Sequence, residues 1–296
     1  MDGIYIWFSQ GPKACSIRIY KRTNKNHTYI RKIHYLCSEK LNNTIYILIR
    51  RKPKIHKRVG ETKNLIAMSN LLQSVKNDIT DFLTKQKMFF FNERDLQVNL
   101  ALYLSNLKDK DYKVHLEYHI PTSELNLYPW KENNISIDLV VEKDGEYVPV
   151  ELKYKTCSLP DGSVINRFGE KICAEKIVKN QSAQDLGRYG FWKDVKRLEL
   201  LKKKYEKKIA GGIVLFVTND KSYKNQPKKE SVGYYNFRML NAQPISGTLQ
   251  WKVQGKDCET KDQPYVDIVL EKIYIPQWNP YSSEMGEEMY FVLMTI

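Results

Sequence analysis

Three polar side chains, Asp138, Glu151 and Lys153, lie in a short stretch of mostly apolar residues. Carboxylates are the ligands that Mg²⁺ prefers, and Mg²⁺ commonly uses one or two of them together with water and a substrate phosphate. A lysine ammonium can stabilise the negative charge that develops on a phosphate oxygen. If the fold brings the three groups together, they could support the metal-assisted hydrolysis of a phosphate ester.

A tight turn is expected to bring these side chains together. The dipeptide Asp144-Gly145 lies between two runs of β-forming residues, and it is among the strongest short signals for a β-hairpin. With these two residues as the loop, the register places Asp138 opposite Glu151 at a non-hydrogen-bonded pair, where Cα atoms approach to about 4.5 Å. Because like charges directly opposite each other destabilise a sheet, this register favours a cation between the carboxylates.

The alternation of residue types along the hairpin predicts one apolar face and one polar face. The polar face carries the two acids and the lysine, which supports a shared site. The alternative is an exposed hairpin whose polar face is merely solvated. The predicted core face consists of Ile135, Ile137, Leu139, Val141, Val148, Val150, Leu152 and Tyr154.

The arrangement of Asp138 on one strand and Glu151-Leu152-Lys153 on the next resembles the metal-binding core of the PD-(D/E)XK nuclease superfamily, which includes restriction endonucleases. Ile137 stands where that superfamily has its name-giving proline. The resemblance implies that Asp138 and Glu151 hold Mg²⁺ or Mn²⁺. It also implies that Lys153 stabilises the transition state or positions the attacking water.

Elements on both sides of the hairpin fit the same resemblance, which covers residues 90–220. The pattern predicts a helix, a strand over Tyr112–Ile120, the hairpin, a second helix, and a buried strand in Gly212–Thr218. This is the order αβββαβ of a restriction-endonuclease-like core. We therefore expect an α/β fold in which a mixed β-sheet is flanked by helices, with further strands at the carboxyl end.

The helix before the core strands is predicted over Glu93–Leu107, with Asn92 as its N-cap. Its apolar stripe leads back to Glu93, so this carboxylate would lie at the end of the buried face. In many PD-(D/E)XK enzymes a glutamate on this helix joins the metal cluster, and the resemblance assigns that role to Glu93. The alternative is a first-turn glutamate that complements the helix dipole.

The helix after the hairpin is predicted over Glu175–Lys208, following a loop over residues 156–170. One branch of the superfamily carries a glutamine here, and the resemblance makes Gln184 a candidate to support the catalytic residues. Gly187 and Gly190 would weaken the helix, so they mark a kink or a close approach. The alternative is an ordinary amphipathic helix with a polar start.

The domain organisation follows from charge and residue pattern. Residues 1–60 hold fourteen Lys and Arg against two acids, so +12 of the net charge of +14 lies there. Recurring β-type runs predict a basic β-rich unit over residues 1–60, and residues 61–296 form the nuclease-like domain with its C-terminal β extension. The basic strands could lie on a nucleic-acid backbone, or they could be edge strands protected from aggregation by charge.

Composition narrows the class of protein. With 42% hydrophobic residues the chain of 296 residues can bury a core, and its 20 tyrosines and basic charge suit a nucleic-acid partner. Five scattered cysteines without a CxxC pair argue for the reducing cytoplasm and against structural zinc. No apolar run is long enough for a membrane span, and the amino terminus does not resemble a signal peptide.

The sequence thus predicts a Mg²⁺-dependent deoxyribonuclease that hydrolyses DNA phosphodiesters, with Asp138, Glu151, Lys153, Glu93 and Gln184 in its active site. By family analogy the setting would be restriction or phage defence, either as a homodimer or with a defence-system partner protein. Two alternatives stay open. One is a non-catalytic nucleic-acid-binding protein that uses a nuclease-like fold. The other is a protein-interaction subunit of a defence or mobile-element complex.

Overall fold

A computed structural model describes residues 3–11, 14–23, 26–36 and 59–296, the last range without residues 182, 228, 231, 252–265 and 284. Side chains are described from residue 70 onward, except in those gaps and at residues 86 and 176. The chain divides into two compact units, Met1–Lys57 and Arg58–Ile296.

The first unit contains a three-stranded antiparallel sheet. Its strands are β1 (Gly3–Gly11), β2 (Ala14–Thr23) and β3 (Asn26–Leu36), and they pair in the order β1-β2-β3. The β-type runs predicted for this part of the sequence are confirmed in these three strands. A fourth predicted run, residues 44–50, lies outside the described residues.

The second unit is built on a six-stranded mixed sheet with the order β12-β13-β9-β6-β5-β4, in which β6 and β9 are parallel and all other neighbours are antiparallel. Two small sheets, β7-β8 and β10-β11, accompany it. The strands are β4 (Lys113–Pro121), β5 (Asn134–Lys143), β6 (Glu146–Lys155), β7 (Val164–Arg167), β8 (Glu170–Cys173), β9 (Ile213–Thr218), β10 (Ile245–Leu249), β11 (Ile268–Tyr274), β12 (Trp278–Ser282) and β13 (Glu288–Thr295).

Helices cover both faces of the large sheet. One core contains residues of α1 (Val59–Gln86) and α2 (Glu93–Ser105), and the other contains the buried side of α3 (Gln184–Lys204). The predicted α/β class and the mixed sheet flanked by helices are therefore confirmed. No helix in the described part of the chain is both long and apolar enough to cross a membrane.

Of the two helices that flank the core strands, one begins where the sequence predicts and the other does not. Asn92 caps α2 as predicted, because its side chain accepts a hydrogen bond from the backbone N–H of Asp95. The predicted start of the second helix at Glu175 is wrong. α3 begins at Gln184, directly after Ala183, which has a left-handed φ of 66° that a helix cannot include.

The central hairpin forms in the predicted register. Its two turn residues have φ of 52° and 76°, as a type I′ turn requires, and pairing extends from the turn to Leu139 and Val150. The ladder ends there. Asp138 and Glu151 are the next residues beyond its last pair, so the expectation that they face each other within the ladder is wrong.

The predicted single apolar face is also wrong at the start of β5. Leu139 packs in the core with α1 and α2, whereas Ile137 packs in the core with α3. The side changes at Asp138, where the pairing with β4 skips one position. Glu117, the β4 residue at that position, has a φ of 49°, which disrupts a regular strand. The odd-numbered apolar residues of β5 therefore pack in one core before Asp138 and in the other core after it.

Two further segments differ from the predicted loops. Residues 156–170 were expected to form a loop, but β7 begins within them and pairs with β8 through a two-residue turn. The turn-prone residues of the segment WNPYSS, residues 278–283, also predict a loop, but most of this segment forms β12. Pro280 is tolerated there because β12 lies at the edge of the sheet, where a missing N–H breaks no ladder.

Candidate functional site

Carboxylates occupy the gap that opens where β5 and β6 separate. The backbone N–H of Leu152 donates to Oδ2 of Asp138 at 2.6 Å, and the N–H of Tyr154 donates to Oε2 of Glu93 at 2.9 Å. In an unbroken hairpin these two N–H groups would point at β5. Asp138 and Glu93 thus satisfy the strand donors that the ladder leaves free, and the fold fixes both carboxylates beside the same strand.

A second set of polar groups holds the backbone of Asp138. Gln97, a buried residue of α2, donates to the carbonyl oxygen of Asp138 at 2.6 Å and to Oε1 of Glu117 at 3.0 Å. Arg94 forms an ion pair with the same Oε1 at 2.9 Å, and Ser136 donates to Oε2 at 2.7 Å. The irregular strand position is therefore stabilised by side chains, which fixes the direction of the Asp138 carboxylate.

Glu151 lies deeper than the other acids, with 1% of its surface exposed. Its Oε1 is 3.3 Å from Nη1 of Arg197 on α3 and has no hydrogen-bond partner among the described residues. The alternative of a merely solvated polar face is excluded for this residue by its burial. Because a buried carboxylate oxygen is stable only with a partner, Oε1 of Glu151 could also bind a cation.

Lys153 faces the same helix. Its ammonium lies 2.8 Å from Oδ2 of Asp194, whose Oδ1 is 3.1 Å from Nη1 of Arg197. Gly190 lies beside this ion pair, and a Cβ at that position would be 3.6 Å from Cε of Lys153. The two strand residues and the two helix residues therefore alternate in charge as Glu151, Arg197, Asp194 and Lys153.

The cluster perturbs the acids electrostatically. Burial raises the pKa of Asp138 from 3.8 to about 6, against the opposing effects of Lys153 and of the Leu152 N–H. Burial and the charge of Asp194 raise the pKa of Glu151 well above its usual value. Both acids would be ionised more readily if a further positive charge were present.

The pKa values of the two bases in the cluster are also raised, but for a different reason. Burial by itself would lower the pKa values of Lys153 and Arg197, but the surrounding carboxylates raise both. With every group ionised, four carboxylates face two bases, which leaves a net charge of −2 in a largely buried cluster. The acids are Glu93, Asp138, Glu151 and Asp194, and the bases are Lys153 and Arg197.

These residues fit a divalent cation with a small number of protein ligands. The donors are carboxylate oxygens, which suit Mg²⁺ and Mn²⁺, and the charge deficit matches one such ion. Within the described residues, no group of three or more His, Cys, Asp or Glu side chains converges to hold a metal. A cation here would therefore use one or two of the carboxylates and complete its shell with water or substrate, as Mg²⁺ commonly does.

Four of the five residues predicted for the site surround one cluster, and the fifth has a different neighbour. Gln184, at the start of α3, lies 3.3 Å from Oδ2 of Asp220 through its Nε2 atom. Asp220 also accepts from the N–H of Ser222 and caps the short turn after β9. The structure thus gives Gln184 a partner outside the carboxylate cluster, and its catalytic role stays a prediction.

Neither Asp194 nor Arg197 is among the site residues that the sequence predicts. The available signal was a carboxylate inside the apolar stripe of α3. Asp194 lies three residues after Phe191 and four before Leu198, both of which are fully buried. A carboxylate at that position must be buried with a partner. Gln97 gives a similar signal, because it lies three residues before the buried Leu100 and four before the buried Ala101.

Comparisons with protein-family models, curated proteins and solved structures find no match. The case for a function therefore rests on the side chains of this chain.

Proposed function

We propose that the chain is a metal-dependent nuclease that hydrolyses DNA phosphodiester bonds. The observation that carries the proposal is the meeting of Asp138, Glu151, Lys153 and Glu93 at the point where β5 and β6 separate. The order of α2, β4, β5, β6, α3 and β9 adds support, because it is the αβββαβ order of the PD-(D/E)XK core that these residues resemble. The β7-β8 hairpin is inserted before α3.

In this proposal Asp138 and Glu151 hold Mg²⁺ or Mn²⁺, and Glu93 completes or extends the site. Such an ion, when bound, lowers the pKa of a water molecule and offsets negative charge on the phosphate. Glu93, Asp138 and Lys153 are all partly exposed, whereas Glu151 is buried. A phosphate would therefore approach from the side of the three partly exposed groups.

Lys153 has the task of stabilising charge on the phosphate or of positioning the attacking water. Because the neighbouring acids raise its pKa, Lys153 stays protonated at neutral pH and acts as a hydrogen-bond donor and a positive charge. Asp194 orients Lys153 from α3, and Arg197 holds Glu151 in the same way. These contacts fix the two groups before a substrate arrives, which reduces the reorganisation needed in the reaction.

The direct test is cleavage of plasmid and of labelled single-stranded and double-stranded oligonucleotides, DNA and RNA, in Mg²⁺, Mn²⁺ or EDTA. We expect DNA cleavage that requires the divalent ion. Asp138→Asn and Lys153→Met keep the size of the side chains, and each should reduce the rate by about 100-fold or more. The control is Asp81→Asn, which removes an exposed carboxylate of α1. Cleavage that survives both substitutions would rule out this assignment.

One observation favours a second candidate, a non-catalytic nucleic-acid-binding protein. Lys153 and Arg197 already supply two positive charges to the carboxylates, so the cluster is partly neutralised without a metal. A binding protein of this kind should show affinity that falls steeply with salt, no dependence on Mg²⁺ and no cleavage. Titration of the same oligonucleotides with and without Mg²⁺ separates the two candidates.

The cellular setting is also part of the proposal. Cys157 and Cys173 are free thiols, which suits the reducing cytoplasm. A role in restriction or phage defence, as a homodimer or with a partner protein of such a system, rests on the resemblance to restriction endonucleases.

A further inference from the structure

The β7-β8 hairpin ends in a fully exposed aromatic side chain. Its two-residue turn consists of Phe168 and Gly169, with φ of 53° and 84°. Phe168 is as exposed as a residue can be, so it contributes nothing to the core. Burial therefore does not explain a phenylalanine at this position.

The backbone makes that choice of residue more unusual. A type I′ turn needs positive φ at both central residues, and Asn or Gly adopts such a φ at little cost. A bulky side chain with positive φ is a conformational outlier. Such an outlier motivates a hypothesis of function, and for an exposed aromatic ring that function would be contact with a ligand.

The hairpin below the tip is firmly attached to the rest of the domain. Ile165 and Ala174 are buried in the core shared with α1 and α2, and the N–H of Ala174 donates to the carbonyl oxygen of Ser163 at 2.7 Å. The guanidinium of Arg167 lies 4.3 Å from the ring centroid of Phe91. The tip is thus presented on a fixed support and does not depend on a mobile loop.

The β7-β8 hairpin is attached to elements that also carry residues of the carboxylate cluster. Phe91 precedes Glu93 by two residues at the amino end of α2, and the hairpin follows β6, which carries Glu151 and Lys153. The strand that precedes the hairpin, β6, and the helix next to its contact residue Phe91, α2, therefore both carry residues of the site. A chain molecule that reaches the cluster could extend along the hairpin.

The residues around the tip indicate the chemistry of such a molecule. Arg167 and Lys171 are exposed beside Phe168, with Glu170 as the one acid of the turn region from 166 to 171. An exposed aromatic ring flanked by cations suits a polyanion that carries aromatic groups, since bases stack on the ring while phosphates meet the cations. A lipid surface would favour several apolar side chains without the intervening acid.

We propose that Phe168 is a stacking residue for an unpaired nucleic-acid base, and that the β7-β8 tip binds single-stranded nucleic acid next to the carboxylate cluster. This inference rests on the proposed function for the nature of the ligand, but it does not depend on catalysis. It predicts that substrates with accessible bases bind better than fully paired duplexes.

The experiment measures equilibrium binding of a fluorescently labelled single-stranded DNA oligonucleotide to the full chain in EDTA, where no cleavage occurs. Phe168→Asn should weaken binding about tenfold or more, as expected for the loss of one stacking contact. Because Asn suits a left-handed φ, this variant should be at least as stable as wild type. Phe168→Trp should retain the affinity.

The matched control is Leu127→Asn. Leu127 is 92% exposed and has a φ of 62°, so this change removes an exposed apolar side chain from a left-handed position elsewhere on the surface. It should leave binding unchanged. An oligonucleotide with abasic sites throughout should bind wild type and Phe168→Asn equally, because it offers phosphates without bases.

Several results would overturn the inference. These are equal affinity of wild type and Phe168→Asn for the intact strand, an equal loss with the abasic strand, and an equal loss in Leu127→Asn. Phe168-dependent binding to anionic lipid vesicles without base-dependent DNA binding would assign the tip to a membrane instead. Absence of any nucleic-acid binding by wild type would overturn this inference and the proposed function together. Tight Phe168-dependent binding without Mg²⁺-dependent cleavage would overturn only the nuclease proposal.

Discussion

The ammonium of Lys153 lies 2.8 Å from Oδ2 of Asp194, with 22% of the lysine side chain and 2% of the aspartate side chain exposed. A second pair, Lys85 and Asp81, has nearly the same separation of 2.7 Å, but its side chains are 68% and 44% exposed. The two pairs share chemistry and length and differ mainly in burial. They offer a direct comparison of what an ion pair contributes in the site and on the surface.

The first prediction concerns the free energy of unfolding after removal of each aspartate charge. Asp194→Asn removes the nearest carboxylate of both Lys153 and Arg197, while Glu93, Asp138 and Glu151 still balance their charge, so we expect a loss of about 1–3 kcal/mol. Asp81→Asn should cost less than about 1 kcal/mol, because water solvates the freed ammonium of Lys85. Urea unfolding at neutral pH in EDTA, followed by circular dichroism, measures both.

A double substitution tests whether the loss comes from the broken contact between Lys153 and Asp194. Lys153→Met combined with Asp194→Asn should be less destabilised than the sum of the two single changes, because it removes the charge that Asp194 had balanced. Strict additivity would show that Asp194 acts through other contacts. Equal losses in Asp81→Asn and Asp194→Asn would show that burial does not govern this pair.

The sequence was informative where structure is determined locally. The Asp144-Gly145 turn sets the hairpin register through its own φ requirements, so the pairing from the turn to Leu139 and Val150 could be predicted from a few residues. The Asn92 cap was predictable for the same reason, since it depends on one side chain and one nearby N–H.

The sequence was less informative where distant residues compete for the same groups. Asp138 leaves the ladder because its carboxylate binds the N–H of Leu152, while Gln97 from α2 binds its carbonyl oxygen. The pairing of Lys153 with Asp194 requires α3 to pack on β6, and no spacing within the sequence encodes that contact. The fold class could therefore be predicted, whereas the partners of the site residues could not.

The second prediction concerns the pH dependence of stability in the metal-free protein. The pKa of Asp138 is raised from 3.8 to about 6, so between these values the folded state binds the proton more strongly than the unfolded state. Asp138 therefore destabilises the fold above pH 6, and this cost disappears as the pH falls toward 4. Asp138→Asn should stabilise the protein by about 2 kcal/mol at pH 7.5, because the amide oxygen still accepts from Leu152.

The measurement is chemical unfolding of wild type and Asp138→Asn in EDTA across this pH range. The difference between the two proteins should shrink as the pH falls from 7 to 4. The control is Leu127→Asn, which removes no ionisable group, so its difference from wild type should show no comparable change. A difference for Asp138→Asn that stays constant with pH would contradict a raised pKa.

The third prediction is that Mg²⁺ and Mn²⁺ stabilise the folded protein through the carboxylate cluster. A ligand at about 100 times its Kd stabilises by about 2.7 kcal/mol, which raises the Tm of a domain of this size by several degrees. Asp138→Asn should abolish this shift, since it removes a proposed ligand. Glu93→Gln should reduce it.

Differential scanning fluorimetry with increasing Mg²⁺ or Mn²⁺ measures the shift, and Asp81→Asn again serves as the control. A shift of the same size in Asp138→Asn would place the cation elsewhere. A shift that is absent from wild type would favour the non-catalytic nucleic-acid-binding protein.

The fourth prediction separates two glycines of α3 that look alike in the sequence. A Cβ on Gly187 would lie 2.5 Å from the hydroxyl oxygen of Tyr223, whereas a Cβ on Gly190 would have an ordinary contact of 3.6 Å with Cε of Lys153. Tyr223 is 1% exposed and its ring lies 4.7 Å from that of Phe216, so it has little room to move. Gly187→Ala should therefore cost about 1–3 kcal/mol, and Gly190→Ala should add up to about 1 kcal/mol through its better helix propensity.

Tyr223 provides the internal check on this steric argument. Its buried hydroxyl has no hydrogen-bond partner among the described residues, so Tyr223→Phe should be nearly neutral or slightly stabilising. In Gly187→Ala the same change removes the atom nearest the new methyl group and should recover part of the lost stability. The ring carbon at 3.2 Å remains, so the recovery should be incomplete. If Gly187→Ala is as stable as Gly190→Ala, or if Tyr223→Phe does not help it, the close approach of α3 to this ring does not explain the glycine at 187.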